Sequence, residues 1–136
     1  MGKITKNLSR HEFACECECG FDVVDVELVK LLQEAVDTFA RRYNAERAVI
    51  TITGPNRCKE HNAAIGGAEK SQHIYGKAAD HNIEIWPKSG AHFRVSTDDL
   101  ADYYNDRCRT RLGIGRYAAG RVHLDVRDSA ARWDAR

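Results

Sequence analysis

The chain has 136 residues and a formal net charge of +1, with 21 Lys and Arg against 20 Asp and Glu. This length suits one domain, so we expect residues 1–136 to form a single domain. The even charge balance lacks the basic excess of nucleic-acid-binding proteins, and we expect no nucleic-acid partner. No apolar run approaches the length of a membrane span, so no membrane insertion is expected.

The first half of the chain predicts one helix and one strand. Apolar residues recur at steps of three and four over residues 25–43, which predicts an amphipathic helix with one face towards the core. The stripe on that face consists of Leu28, Leu32, Val36, Phe39 and Tyr43. The β-branched run at residues 48–53 predicts a strand, which Gly54 and Pro55 end.

The second half predicts two further strand regions and a helix. Residues 77–85 are predicted to form a strand, followed by a turn at residues 86–90. Ser96 or Thr97 is predicted to cap a helix that runs to residue 111. Residues 113–126 are typical of a β-hairpin. We therefore expect an α+β fold in which a small antiparallel sheet packs with helices.

The five cysteines allow three interpretations. Cys15, Cys17 and Cys19 alternate, while Cys58 and Cys108 stand apart. The clustered thiols could form a disulfide with Cys58, remain as reduced buried thiols, or bind a second metal ion. Structural zinc sites more often have two to four residues between cysteines, so metal is the weakest of the three.

Two segments carry the residue types of a catalytic metal site. His73 and Asp80 flank a stretch that contains Gly76 and two alanines, and His123 and Asp125 alternate with aliphatic residues. In a strand, that alternation places His123 and Asp125 on one face. Two histidines and one carboxylate are a typical catalytic zinc set, with the fourth position left for water. The same donors can also bind iron(II).

These segments resemble the zinc D-alanyl-D-alanine carboxypeptidase family, which includes phage endolysin peptidases and shares the hedgehog-like fold. The most specific likeness is the pattern S-x-H-x-x-G-x-A-x-D, which begins at Ser71 and ends at Asp80. Further matching segments are Arg57-Cys58-Lys59-Glu60-His61-Asn62, Gly66-Gly67, Gly113-Ile114-Gly115 and Val122-His123-Leu124-Asp125. Their order follows the family's order over nearly the whole chain.

The resemblance implies a role for each matched residue. His73, Asp80 and His123 are implied to bind one catalytic Zn²⁺. Arg57 is implied to bind the terminal carboxylate of the substrate or to steady the reacting carbonyl, as the two-pronged guanidinium allows. Ser71 is expected at the rim of the site, where it could hydrogen-bond the substrate backbone.

This chain departs from the family pattern at the general base, as it also does at Pro55-Asn56 and at His81. Many relatives carry Glu or Asp three residues before the last ligand histidine, but here that position is Gly120. Asp125 is the remaining candidate base, because it shares a strand face with His123. Asp125 could equally be a carboxylate that orients the histidine ligand. His81 could line the pocket, although strand alternation from Asp80 would point it to the other face. Trp133 is expected to anchor the C-terminal segment.

The resemblance implies a zinc metallopeptidase that hydrolyses peptidoglycan stem peptides, as a D-Ala-D-Ala carboxypeptidase or an endolysin-like endopeptidase. The N-terminus shows no signal peptide, so we expect the protein to be made in the cytoplasm and to act on the cell wall after release. We also expect it to be a monomer. The alternative is a non-catalytic zinc-containing module that binds the cell wall or a protein. The absence of an acidic residue at position 120 leaves this alternative open.

Overall fold

The computed structural model of the protein describes residues 5–8, 10–13, 25–54 and 77–136. Over these residues it has two α-helices and a six-stranded mixed sheet, which confirms the predicted α+β class. The elements are a 3-10 helix at Arg10–Phe13, α1 at Val26–Arg42, β1 at Ala45–Gly54, β2 at Ala78–Pro87, β3 at Phe93–Arg94, α2 at Thr97–Arg107, β4 at Gly113–Arg116, β5 at Val122–Asp125 and β6 at Ala131–Asp134.

The sheet has the strand order β1-β2-β5-β4-β6, and β3 pairs with β2 outside this path. The pairs β1–β2, β2–β3, β2–β5 and β4–β5 are antiparallel, as expected. The sequence did not predict β3 or β6, and β6 adds a parallel pair with β4. The hairpin formed by β4 and β5 therefore lies between β2 and β6, and the candidate site is built on it.

Helix α1 follows its prediction closely. The Asp25 carboxylate caps it by accepting hydrogen bonds from the backbone N–H groups of Glu27 at 2.8 Å and Leu28 at 3.3 Å. Its buried face carries Leu28, Val29, Leu31, Leu32, Ala35, Val36 and Phe39. The predicted core stripe is confirmed for its first four members, while Tyr43 is the partly buried C-cap.

Helix α2 begins as predicted but ends earlier. The Ser96 hydroxyl accepts a hydrogen bond from the Asp99 N–H at 3.1 Å, and the helix stops at Arg107 rather than at residue 111. Cys108 is already extended, with φ −154° and ψ 95°. The Arg132 guanidinium donates to the Cys108 carbonyl at 3.1 Å and to the Arg111 carbonyl at 3.0 Å. These carbonyls thus find partners in β6 instead of in another helical turn.

The helices cover one face of the sheet. Ile83 and Ile85 of β2 and Leu124 of β5 are fully buried in the same hydrophobic cluster as the helix side chains. His81 also points to this side, which confirms its predicted orientation. Its Nε2 accepts from the Tyr104 hydroxyl at 2.7 Å and its Nδ1 donates to the Ala79 carbonyl at 3.2 Å. Burial lowers the pKa of His81 to about 4, so this ring is neutral at neutral pH.

Among the described helices, none combines the length and the apolar character that crossing a bilayer would require. The predictions for Cys15, Cys17, Cys19 and Cys58 lie outside the described residues. Cys108 is described, and it is a half-buried free thiol.

Candidate metal centre

One row of residues crosses the sheet on the face opposite the helices. Asp80 of β2 pairs with His123 of β5, and His123 pairs with Gly115 of β4. Gly115 in turn pairs with Trp133 of β6. Side chains of paired residues project to the same side of a sheet, so Asp80, His123 and Trp133 share one face.

The His123 ring lies between two carboxylates. Its Nδ1 is 2.8 Å from Oδ1 of Asp80, and its Nε2 donates to Oδ2 of Asp125 at 2.7 Å. The prediction that His123 and Asp125 share one strand face is confirmed by this contact. Burial by itself would lower the pKa of His123, but the bonds to Asp125 and Asp80 outweigh it and raise the pKa.

Asp125 is held from both sides. Its side chain is 0% exposed, and besides His123 it accepts from Arg127, whose Nε is 2.5 Å from Oδ1 and whose Nη2 is 2.6 Å from Oδ2. Burial opposes the charge on this carboxylate, but the bonds from His123 and Arg127 lower the pKa of Asp125 below its usual range. Asp125 is therefore an anion at neutral pH.

The two ends of this carboxylate–histidine–carboxylate chain differ in their access to solvent. The Asp80 side chain is 27% exposed, whereas that of Asp125 is completely covered. The Asp80 end of the chain is therefore the end that solvent reaches. Asp125 lies at the closed end.

Two glycines of β4 make room for this arrangement. A Cβ atom on Gly113 would lie 2.2 Å from Oδ2 of Asp125, and a Cβ on Gly115 would lie 2.5 Å from the Trp133 ring. Any side chain at either position would displace its neighbour. The Gly113-Ile114-Gly115 motif is thus explained by the close approach of Asp125 and Trp133.

Trp133 does more than anchor the C-terminal segment. Its ring lies against the His123 ring, with 5.0 Å between the centroids, and its Nε1 donates to the Tyr117 hydroxyl at 3.1 Å. The Trp133 ring thus covers one side of the His123 imidazole. The contact between Trp133 and His123 was not predicted from the sequence, because it depends on the parallel pairing of β6 with β4.

The donor chemistry of Asp80 and His123 fits a cation. Nε2 donates its proton to Asp125, and Nδ1 lies 2.8 Å from the Asp80 carboxylate, to which it donates when the ring is doubly protonated. A metal ion bound by this nitrogen and this carboxylate would take the place of the proton on Nδ1. A carboxylate oxygen and an imidazole nitrogen are both ordinary zinc ligands.

The third predicted ligand, His73, lies outside the described residues, as do Arg57 and Ser71. Within residues 5–8, 10–13, 25–54 and 77–136, no group of three or more His, Cys, Asp or Glu side chains could hold a metal ion. Asp80 and His123 thus supply two of the three expected donors. The full ligand set stays a prediction.

The backbone explains why position 120 carries no acidic residue. Gly120 has a φ of +80°, and a Cβ there would lie 2.7 Å from the Arg94 side chain and 2.9 Å from the Val95 carbonyl oxygen. Its N–H donates to the Thr97 hydroxyl at 3.0 Å. A glutamate or aspartate at this position would require a different turn.

Two functional candidates were missed by the sequence analysis. Arg127 follows Asp125 at the same period of two that places His123 and Asp125 on one face, so extending the alternation by one step would have found it. Asn82 follows Asp80 by the same spacing and is only 5% exposed. Its Oδ1 is buried and accepts no hydrogen bond from the described part of the chain.

Comparison with protein families finds one match that covers most of the chain. The family described as Peptidase M15 matches residues 6–125, which include Asp80, His123 and Asp125. Comparisons with curated proteins and with solved structures find no match.

Proposed function

The chain belongs to the peptidase M15 family, the zinc D-Ala-D-Ala carboxypeptidase type, and from this membership we propose that it is a zinc metallopeptidase of peptidoglycan stem peptides. The family itself establishes a peptidase and confirms the resemblance found in the sequence. Zinc as the cofactor, the stem peptide as the substrate and the cell wall as the place of action are our proposals.

The single observation that carries the proposal is the Asp80–His123 pair. The Nδ1 and Oδ1 atoms are 2.8 Å apart at the open end of the chain of polar contacts, and the other imidazole nitrogen is already bonded to Asp125. We propose that His73 joins these two residues as the third ligand. The zinc ion, when bound, would lower the pKa of a bound water and polarise the scissile carbonyl.

The chain's own residues then position the reactants. Arg57 would bind the terminal carboxylate of a D-Ala end or steady the reacting carbonyl, with the two-pronged geometry that a lysine lacks. Ser71 would hydrogen-bond the substrate backbone at the rim of the site. Removal of a terminal D-Ala would make the protein a carboxypeptidase, and cleavage within the stem or a cross-link would make it an endolysin-like endopeptidase.

For Asp125 we propose the orienting role rather than the role of general base. A base must reach the proton of the attacking water directly or through one further water. The Asp125 carboxylate is fully covered, and its oxygens accept from His123 and Arg127. These contacts support a carboxylate that fixes the His123 ring. The earlier assignment of Asp125 as the base stays a prediction.

The variant Asp125→Asn separates these two roles. If Asp125 orients His123, the affinity for Zn²⁺ should fall about 10- to 100-fold, because the amide accepts more weakly than the carboxylate. If Asp125 is the base, Zn²⁺ should bind with unchanged affinity while turnover falls by about 10²-fold or more. Competition with a chromophoric chelator measures the affinity, and hydrolysis of a stem peptide at saturating Zn²⁺ measures the turnover.

The decisive experiment for the function is digestion of purified peptidoglycan followed by mass spectrometry of the fragments. We expect shortened stem peptides with the Zn²⁺-loaded protein and intact ones after treatment with a chelator. The mass of the products identifies the bond, since loss of one alanine marks a carboxypeptidase. Intact stem peptides under both conditions would contradict the proposal.

A second candidate function is a non-catalytic zinc-containing module that binds the cell wall or a protein. Two observations favour it: Gly120 occupies the position of the usual acidic residue, and Asp125 is shielded from solvent. A protein that binds Zn²⁺ and sediments with peptidoglycan, yet leaves every stem peptide intact, would establish this alternative.

A further inference from the structure

Arg127 lies directly behind the Asp125–His123 pair. Its guanidinium makes a two-pronged contact, with Nε 2.5 Å from Oδ1 and Nη2 2.6 Å from Oδ2 of Asp125. The backbone there is held in the sheet, because the Leu112 N–H donates to the Arg127 carbonyl at 3.3 Å. Arg127 is thus the charged partner of a carboxylate that has no access to solvent.

This contact determines which His123 nitrogen carries the proton. Both oxygens of Asp125 accept from Arg127, and Oδ2 also lies 2.7 Å from Nε2 of His123. An oxygen that serves as an acceptor requires a donor opposite it, so the proton must be on Nε2. A neutral imidazole with its proton on Nε2 has its lone pair on Nδ1, the atom beside Asp80.

We propose that Arg127 is a positioning residue for the metal site: by holding Asp125 as an acceptor, it keeps the proton of His123 on Nε2 and presents Nδ1, beside Asp80, as the metal-donating atom. This inference rests on the proposed function, in that it takes Asp80 and His123 as metal ligands. It adds a residue outside the ligand set, together with the atom through which His123 would bind.

Arg127 also lies beside Trp133, the second residue that contacts the His123 ring. Its Cζ lies 5.9 Å from the centroid of the Trp133 ring, and Trp133 packs against His123 at 5.0 Å. Arg127 therefore lies against both groups that hold the imidazole, with hydrogen bonds to Asp125 and a cation–π contact to Trp133. A lysine could supply the charge, but it lacks the planar fork that bonds both oxygens of Asp125.

The test compares Arg127→Met and Arg127→Lys with the control Arg47→Met. Arg47 lies on β1, and its guanidinium lies over the Trp86 ring at 4.6 Å. The control therefore removes an arginine–aromatic contact without touching Asp125, Trp133 or Tyr117. Two quantities are measured: the affinity for Zn²⁺ by chelator competition, and the ¹⁵N shifts of the His123 ring in the metal-free protein.

We expect Arg127→Met to lower the Zn²⁺ affinity by about 10- to 100-fold and to shift the ¹⁵N signal of Nε2 of His123, because the bond from this nitrogen to Asp125 changes when the carboxylate loses its partner. Arg127→Lys should restore part of both properties, and Arg47→Met should change neither. Because Arg127→Met leaves a carboxylate buried without its partner, the double variant Arg127→Met/Asp125→Asn is included. It removes both charges together, and its Zn²⁺ affinity should fall as in the single variant.

The outcomes separate this inference from the proposed function. Unchanged Zn²⁺ affinity and an unchanged Nε2–H signal in folded Arg127→Met, while the wild-type protein cleaves peptidoglycan, would overturn the inference alone. A wild-type protein that binds Zn²⁺ in an Arg127-dependent way but leaves stem peptides intact would overturn the proposed peptidase function alone. A wild-type protein that binds no Zn²⁺ would overturn both.

Discussion

The two faces of the sheet formed by β2, β4 and β5 differ in the side chains that they bury. On the helix side, Ile83, Ile114 and Leu124 fill the space between the sheet and the helices with close-packed apolar side chains. On the other side, His123 and Asp125 are buried as well, but their neighbours on β4 are glycines. The first face gains stability from packing. The second leaves room for charged groups and for the contacts that hold them.

The contrast shows how one short strand, β5, contributes both to the hydrophobic core and to the candidate site. Successive residues of β5 alternate between the faces, so Val122 and Leu124 belong to the core while His123 and Asp125 belong to the site. The core residues fix the strand, and the strand fixes the angle at which His123 meets Asp80. Substitutions on the two faces should therefore have separable effects, one on stability and one on metal binding.

The largest effect should come from Asp80→Ala, at the open end of the polar chain. Removing this carboxylate takes away one expected metal ligand beside His123. The proposed zinc ion would contribute several kcal/mol of transition-state stabilisation, so peptidase activity should fall by roughly 10³-fold. Hydrolysis of a stem peptide at fixed Zn²⁺ measures this.

The matched control for Asp80→Ala is Glu84→Ala, which removes a carboxylate from the same strand. Glu84 bonds His92 and Arg94 at the surface, away from His123. Its loss should change the activity by less than about twofold, in line with the small free energies of surface ion pairs. Equal losses in the two variants would show that Asp80 has no special place in the site.

On the core face, Ile83→Ala should mainly affect stability. Ile83 is fully buried, and truncating such a side chain costs about 2–5 kcal/mol through lost burial and the cavity left behind. Unfolding in urea measures the loss, and the milder Ile83→Val should cost about 0.5–1.5 kcal/mol. Zn²⁺ affinity of the folded protein should stay the same. A drop in affinity that follows the drop in stability would mean that the two faces are not separable.

Gly113→Ala tests the close approach of β4 to Asp125. The new Cβ would lie 2.2 Å from Oδ2 of Asp125, so the carboxylate must move. We expect a loss of about 1–3 kcal/mol in the free energy of unfolding. Zn²⁺ affinity should also fall, by up to about 100-fold, because Asp125 no longer meets His123 correctly.

The control for Gly113→Ala is Ile114→Val, one residue along β4 on the opposite face. It should cost about 0.5–1.5 kcal/mol of stability and leave Zn²⁺ affinity unchanged. Unaltered Zn²⁺ binding in folded Gly113→Ala would show that the contact between Asp125 and His123 tolerates displacement.

The sequence predicted the parts of this fold that repeat a local pattern. The stripe of α1, the alternation in β5 and the opposite orientation of His81 follow from periods of 3.6 and 2, so each could be predicted without knowledge of its neighbours. Asp80 and His123 were predicted as site residues in a different way, from the likeness of whole segments to the family motif. Their contact at 2.8 Å then follows from the pairing of β2 with β5.

The features that the sequence could not predict depend on contacts between distant segments. β6 has only four residues, and its parallel pairing with β4 places Trp133 on His123. Helix α2 ends early where the Arg132 guanidinium, from β6, meets the carbonyls that follow it. No local propensity encodes either contact, because both partners must first be brought together by the sheet.

We expect the smallest effect for Asn82→Leu. The sign of its change in the free energy of unfolding is what distinguishes the two possibilities. Asn82 is 5% exposed on the polar face, and its buried Oδ1 accepts no hydrogen bond within the described ranges. An unpaired buried acceptor costs about 1–3 kcal/mol, so an apolar side chain of similar shape should leave stability unchanged or raise it by up to about 1 kcal/mol. Urea unfolding measures the difference.

The same substitution at Asn105 provides the control, since Oδ1 of Asn105 accepts from Nε of Arg132 at 2.9 Å. Asn105→Leu breaks that bond and should cost about 0.5–1.5 kcal/mol. If Asn82→Leu proves as costly as Asn105→Leu, Oδ1 of Asn82 must be satisfied in solution. If Asn82→Leu is neutral or stabilising, folding does not need the side-chain amide of Asn82. That amide lies two residues along β2 from Asp80. The polar face would then differ from the core face in its energetics as well as in its composition.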